Sequence, residues 1–119
     1  MRLLVPTGTA VYLGKPAKPL DSGLGAAIAG FIGSFPEVQE AHLPQCWAKG
    51  IMREAAQVLV VVLTAEASEP RAAQAIDSGV SRLLPRGTHL DVWLITSDHS
   101  LLGAVRKADC RIVKGKALA

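Results

Sequence analysis

The octapeptide QVLVVVLT, residues 57–64, decides the fold of this chain. It holds six aliphatic residues in succession, four of them valine, a composition that favours an extended strand. A strand with one solvent-facing side would alternate apolar and polar residues, whereas an unbroken apolar run indicates burial on both faces. The sequence therefore predicts a central strand around which the other elements are arranged.

Two amphipathic helices are predicted, one on each side of this strand along the chain. The first starts after Leu20, where Asp21 or Ser22 can cap it, and ends before Pro36. Its large side chains recur at helical spacing on one face: Leu24, Ile28, Phe31, Ile32 and Phe35. The second helix starts at Ser68-Glu69-Pro70 and ends before Pro85, with an inward stripe of Ala72, Ile76, Val80 and Leu83.

The remaining segments predict further strands. These are Thr9–Leu13, Glu37–Trp47 and Leu90–Thr96, and the second contains Pro44, which indicates an edge or a bulge. A short helix capped by Asp98 and a last edge strand over Cys110–Val113 follow, and residues 114–119 are expected to be loose.

The element order β-α-β-β-α-β predicts an α+β fold. The simplest such architecture is the ferredoxin-like two-layer sandwich, a mostly antiparallel sheet with helices on one face. We expect one domain over residues 1–119, with its core at about 10–113.

Three segments resemble the carboxy-terminal domain of the SseB family, bacterial proteins named for enhanced serine sensitivity. They are Leu13-Gly14-Lys15-Pro16 with Pro19-Leu20, the octapeptide 36–43 (PEVQEAHL), and Leu90-Asp91-Val92-Trp93-Leu94. The resemblance extends over residues 10–113 and consists of turns and core positions. It implies no reaction, cofactor or active-site residue, and family members usually carry a second, amino-terminal domain.

Composition limits the class of protein. Half of the 119 residues are hydrophobic and 19% are charged, which predicts a folded chain. No apolar run is long enough for a membrane helix or a secretory signal, so we expect a cytoplasmic protein without a membrane partner. Cys46 and Cys110 lack metal-ligand or redox spacing and are expected to be buried thiols.

Several local patterns suggest catalysis, but none is complete. Ser97-Asp98-His99-Ser100 is a turn rather than a hydrolase site, because such a site is assembled from distant segments. Gln45-Cys46-Trp47 lacks the flanking glycines of a cysteine-protease nucleophile. His42, His89 and His99 lack ligand spacing and are expected at the surface or at strand ends. We therefore expect no enzyme, catalytic residue, metal or cofactor.

The back of the first helix is the strongest candidate for a binding surface. It is small and uncharged, and its members are Ser22, Gly23, Ala26, Ala29, Gly30 and Gly33. Its glycines cost helix stability, and small residues permit another backbone to approach closely. This pattern predicts a protein-interaction module that binds a partner protein or a second copy of itself. A merely solvated Ala/Gly surface is the alternative explanation.

Two other functions have partial signals in the sequence. The first is nucleic-acid binding, because the carboxy-terminal part is basic through Arg106, Lys107, Arg111, Lys114 and Lys116. Aromatic residues are only 4% of the chain, so we expect a solvated basic edge that discourages strand pairing and not a nucleic-acid site. The second is a regulatory domain of the ACT type, which binds a small ligand such as an amino acid near the turn into its first helix. Residues 20–24 (LDSGL) vaguely resemble that turn, although the proline expected before the glycine is missing.

Overall fold

A computed structural model describes residues 11–16, 20–48, 56–64, 69–88 and 90–113. The elements within these ranges are β1 (Val11–Gly14), α1 (Ser22–Gly33), β2 (Val38–His42), β3 (Gln45–Ala48), β4 (Ala56–Leu63), α2 (Glu69–Leu83), β5 (Asp91–Thr96), α3 (Leu102–Lys107) and β6 (Arg111–Val113). The predicted α+β class is confirmed, and four of the five strand pairings are antiparallel. Residues 9–10, Ser68, His89 and 114–119, which carry parts of the sequence-based predictions, lie outside the described residues.

β4 is the central strand, as its sequence predicts. On one side it pairs antiparallel with β2 and β3, and on the other it pairs parallel with β5. β2 and β3 form one long strand that is interrupted at Leu43 and Pro44, and the backbone N–H of Val58 donates to the Pro44 carbonyl across the interruption, at 2.9 Å. The predicted irregularity near Pro44 is thus present, but it lies inside the sheet and not on an edge strand. β6 and β1 pair with the far sides of β2 and β3.

The ferredoxin-like arrangement is not confirmed. That fold has a split β-α-β unit, in which another strand lies between the two parallel strands. Here β4 and β5 pair directly, from Val58 opposite Asp91 to Leu63 opposite Thr96. The two main helices, α1 and α2, do cover one face of the sheet, but the short α3 packs against the opposite face, so that both faces are covered. Helical periodicity shows which side of a helix is buried, but not which face of the sheet it covers.

The two covered faces explain the unbroken apolar run of β4. Its side chains alternate, so that Leu59, Val61 and Leu63 pack with α1 and α2, whereas Val58, Val60 and Val62 pack with α3. All six are buried. A strand with apolar layers on both faces has no polar position in its pattern.

The contact between α1 and α2 depends on a glycine. A Cβ atom built at Gly79 would lie 1.9 Å from Cζ of Phe31, so the α1 ring lies directly on the α2 backbone. Phe31 also packs edge-on against Phe35, with ring centroids 5.2 Å apart. A methyl group at position 79 would therefore force the Phe31 ring to shift from its contact with α2.

We expect Gly79→Ala to destabilise the fold. Overpacking typically costs about 1–3 kcal/mol, more than the gain of about 1 kcal/mol in helix propensity. Gly25→Ala is the matched control, because a Cβ there would meet nothing within 4 Å and Gly25 is not among the predicted interaction residues. Urea denaturation should show Gly79→Ala below the wild type and Gly25→Ala at or above it. Equal stabilities for the two variants would contradict the predicted contact.

Candidate functional site

The outer surface of α1 contains all six predicted interaction residues. Ser22, Gly23, Ala26 and Gly30 are exposed, whereas Ala29 and Gly33 are half-buried. Gly33 borders β6, since a Cβ there would lie 3.9 Å from Cγ2 of Val113. We call these six residues the small-residue surface. The twelve residues of α1 include no ionisable side chain, so this surface carries no charge of its own.

Asp21 caps the start of α1, one of the two caps that the sequence allows. Its Oδ2 accepts from the backbone N–H groups of Gly23, at 3.0 Å, and Leu24, at 3.2 Å. These amides have no partner inside the helix, and a carboxylate is favoured at this positive end. The first amides of α1 are therefore already bonded to the chain's own carboxylate.

A cavity of about 290 Å³ lies beside this helix start. Its lining is mostly apolar and includes Leu20, Leu43 and Ile112, with Asp21 and the Cys110 thiol among its polar groups. The side-chain amide of Gln57 is part of the lining. It accepts from the N–H of Leu20 at 3.1 Å and donates to the carbonyl of Leu43 at 3.0 Å. Both functions of that amide are thus used within the fold.

A buried polar cluster lies on the opposite face of the sheet, beneath α3. Both of its members on β2 are polar and yet buried: Glu40 is 5% exposed and His42 1% exposed. Glu40 accepts two hydrogen bonds from Arg106 of α3, from Nε at 3.0 Å and from Nη2 at 3.1 Å. Arg111 of β6 approaches the same carboxylate at 3.6 Å. One carboxylate therefore connects β2, α3 and β6.

Charge and burial fix the protonation of this cluster. The hydrogen bonds from Arg106 lower the pKa of Glu40 to about 2, against the opposing effect of burial. Burial lowers the pKa of His42, so its ring is neutral near pH 7. Because Glu40 is ionised, His42 Nε2 donates to Glu40 Oε1 at 2.9 Å. Its Nδ1 is then a buried acceptor without a partner among the described residues.

This cluster is not among the features predicted from the sequence. His42 was expected at the surface or at a strand end, and it is the last residue of β2, but it is buried and not at the surface. Arg106 and Arg111 were expected only as parts of a solvated basic edge. The available signal was Glu40-x-His42, two polar residues on one face of a strand that otherwise reads as core. Both arginines keep partly exposed guanidinium groups, so the basic edge is present but is partly neutralised by Glu40.

The apparent catalytic motifs serve local structure. Residues 97–100 are exposed, and Thr96 donates its hydroxyl hydrogen to Asp98. His99 Nδ1 accepts from the N–H of Leu101 at 3.1 Å, and Asp98 does not cap α3, so that prediction is wrong. Within the described ranges no three His, Cys, Asp or Glu side chains are grouped as metal ligands would be.

The two cysteines differ in their surroundings. Cys46 is buried, as predicted, and burial raises the pKa of its thiol to about 11. Cys110 is only half-buried, and desolvation raises its thiol pKa as well. A thiol whose pKa is raised is a poor nucleophile, because the thiolate is the reactive form.

The chain was compared with protein-family models, curated proteins and solved structures, and none of them matches it. No helix in the part of the chain that the structure describes is long and apolar enough to cross a membrane.

Proposed function

We propose that this chain is a non-enzymatic, cytoplasmic protein-interaction module that binds a second copy of itself through the small-residue surface of α1. The observation that carries the proposal is the exposure of Ser22, Gly23, Ala26 and Gly30 on a helix with no ionisable side chain. Small side chains let a second helix approach closely, and an uncharged surface loses little hydration when it is covered. The resemblance to the SseB carboxy-terminal domain is compatible with this role but names no partner.

The lack of charge on the small-residue surface makes a second copy a suitable occupant. The chain carries a formal net charge of +3, which opposes contact between two copies, and this opposition is weakest where the surface itself is uncharged. The small-residue surface brings no like charges together when it meets itself. Its half-buried members, Ala29 and Gly33, would become buried in such a pair.

We expect Gly30→Glu to abolish self-association without unfolding the chain. The new carboxylates would face each other across the interface, whereas the free protein has open space at this position. Ser78→Glu, on the exposed side of α2, adds the same charge elsewhere. Size exclusion with light scattering should show a monomer for Gly30→Glu and a dimer for Ser78→Glu. The proposal fails if both variants have the same mass.

A small-ligand regulatory domain of the ACT type is a second candidate, and the cavity beside α1 favours it. Leu20, Asp21 and Ser22 line that cavity, at the turn where such a domain binds its ligand. The capping bonds of Asp21 count against an amino acid, because the ligand carboxylate would have to displace them. Thermal shift with common amino acids at millimolar concentration tests this candidate. A shift that Gly25→Leu abolishes would support it, and no shift would exclude it.

A further inference from the structure

The carboxy-terminal segment Leu101–Val113, which we call the strap, crosses one face and one edge of the sheet. Leu102 and Val105 of its α3 are buried over the valines of β4, and Ala108, directly after the helix, is also buried. Its β6 is paired with β2 at Ala41 opposite Val113 and His42 opposite Arg111, with a register shift between the two pairs. The Leu43 N–H donates to the Cys110 carbonyl at 2.9 Å.

The rest of the fold is held together without the strap. β4 has β2 and β3 on one side and β5 on the other. The larger buried cluster, which joins α1 and α2 to the sheet, lies on the opposite face, and the strap reaches it only through the half-buried Ile112 and Val113. Loss of the strap would therefore remove one covering layer, while the other cluster would lose only its contacts with Ile112 and Val113.

The contact between Arg106 and Glu40 attaches the middle of the strap to β2. Glu40 is nearly inaccessible on β2, and Arg106 donates two hydrogen bonds to it from α3, one to each carboxylate oxygen. A bidentate guanidinium–carboxylate pair is among the stronger side-chain contacts, and a buried carboxylate that loses its partner is costly. Three buried apolar side chains, three half-buried ones, the short pairing of β6 with β2 and the contact with Glu40 thus hold the strap.

We propose that the strap opens as a unit while the remainder stays folded, and that the Arg106–Glu40 contact determines how often it opens. Opening uncovers the apolar strip of Val58, Val60 and Val62 together with Cys46, which share one cluster with α3. The strap borders the small-residue surface where Val113 meets Gly33, but the proposed opening does not depend on self-association. Regions with few buried apolar contacts are those that open locally at low free energy.

Native-state hydrogen exchange over a series of low urea concentrations tests the proposal. The amides of Val105 and Leu43 report on the strap, because their acceptors are Leu101 and Cys110. The amides of Val58 and Thr64, bonded to Pro44 and Glu37, report on the rest of the sheet. We expect the strap amides to exchange faster, with little dependence on urea.

Two variants separate local from global opening. Arg106→Gln should speed exchange at Val105 and Leu43 by about 10- to 100-fold, the value of a hydrogen bond to a charged group. Ile76→Val, under α2 on the other face, should speed only the reference amides, by roughly 2- to 12-fold. Lys107→Gln removes the exposed charge next to Arg106 and should change little. The proposal is overturned if Ile76→Val speeds both sets of amides equally.

Cys46 gives an independent measurement. In a Cys110→Ser background it becomes the single thiol of the chain, and it is fully buried beside the strap. We expect a disulfide reagent to label it at a rate that barely depends on urea and that rises in Arg106→Gln. If Cys46 is labelled only when the whole chain unfolds, the labelling rate depends on urea as strongly as global unfolding does, and the proposal is overturned. This measurement needs only the Cys110→Ser background, so it remains decisive even if Arg106→Gln does not fold.

Discussion

Acidification is expected to remove about 3 kcal/mol of stability through Glu40 alone. The pKa of Glu40 is about 2 in the folded chain and 4.5 for an unperturbed glutamate, which represents the unfolded chain. Each pKa unit corresponds to about 1.4 kcal/mol. A carboxyl whose pKa is lowered by folding stabilises the protein above its unfolded pKa. The contribution is therefore complete near neutral pH and is lost as the pH falls from about 4.5 towards 2.

Urea denaturation at neutral pH and at pH 3 measures the larger part of this loss, about two thirds of it, because the carboxylate of the folded chain is still ionised at pH 3. Glu40→Gln should be less stable than the wild type at neutral pH and should lose much less on acidification. Glu37→Gln is the matched control, since it makes the same chemical change three residues away and keeps Glu40. An acid-induced loss that is the same in Glu40→Gln and Glu37→Gln would show that the carboxylate is not paired as described.

Leu59→Ala is expected to lower the free energy of unfolding by about 2–5 kcal/mol. Leu59 is fully buried on β4, in the cluster that joins both α1 and α2 to the sheet. The loss combines the transfer free energy of the removed carbons with the cavity that remains, and the cost is greatest where the surroundings cannot collapse. A central strand packed beneath two helices is such a place.

Leu94→Ala provides the comparison for Leu59→Ala. Leu94 packs against the same cluster from β5 but is only partly buried, so we expect a clearly smaller loss. Urea denaturation of both variants with an unchanged slope gives the difference. A loss below 1 kcal/mol at Leu59, or an equal loss at both positions, would contradict the burial of β4 between two apolar layers.

The local elements could be predicted from the sequence because their signals are local. The valine run of β4, the helical spacing from Leu24 to Phe35 and the capping Asp21 each depend on neighbouring residues, and each is confirmed. The break near Pro44 was also visible. Pairing was harder, because nothing in the sequences of β4 and β5 states whether a third strand separates them.

The polar cluster could not be predicted for a related reason. Glu40 and Arg106 lie 66 positions apart, and their contact exists only because α3 folds across the face of β2. Taken alone, a glutamate on a strand and an arginine on a short helix both indicate exposed residues. The small-residue surface was foreseen because all its members lie on one helix, but its function stays a prediction.

The mass of the wild-type chain in solution tests the proposed self-association most directly. Light scattering during size exclusion, over a range of concentrations, should give about 25 kDa, twice the 12.5 kDa of one chain. A mass of 12.5 kDa at every concentration up to several hundred micromolar would contradict the proposed role of α1.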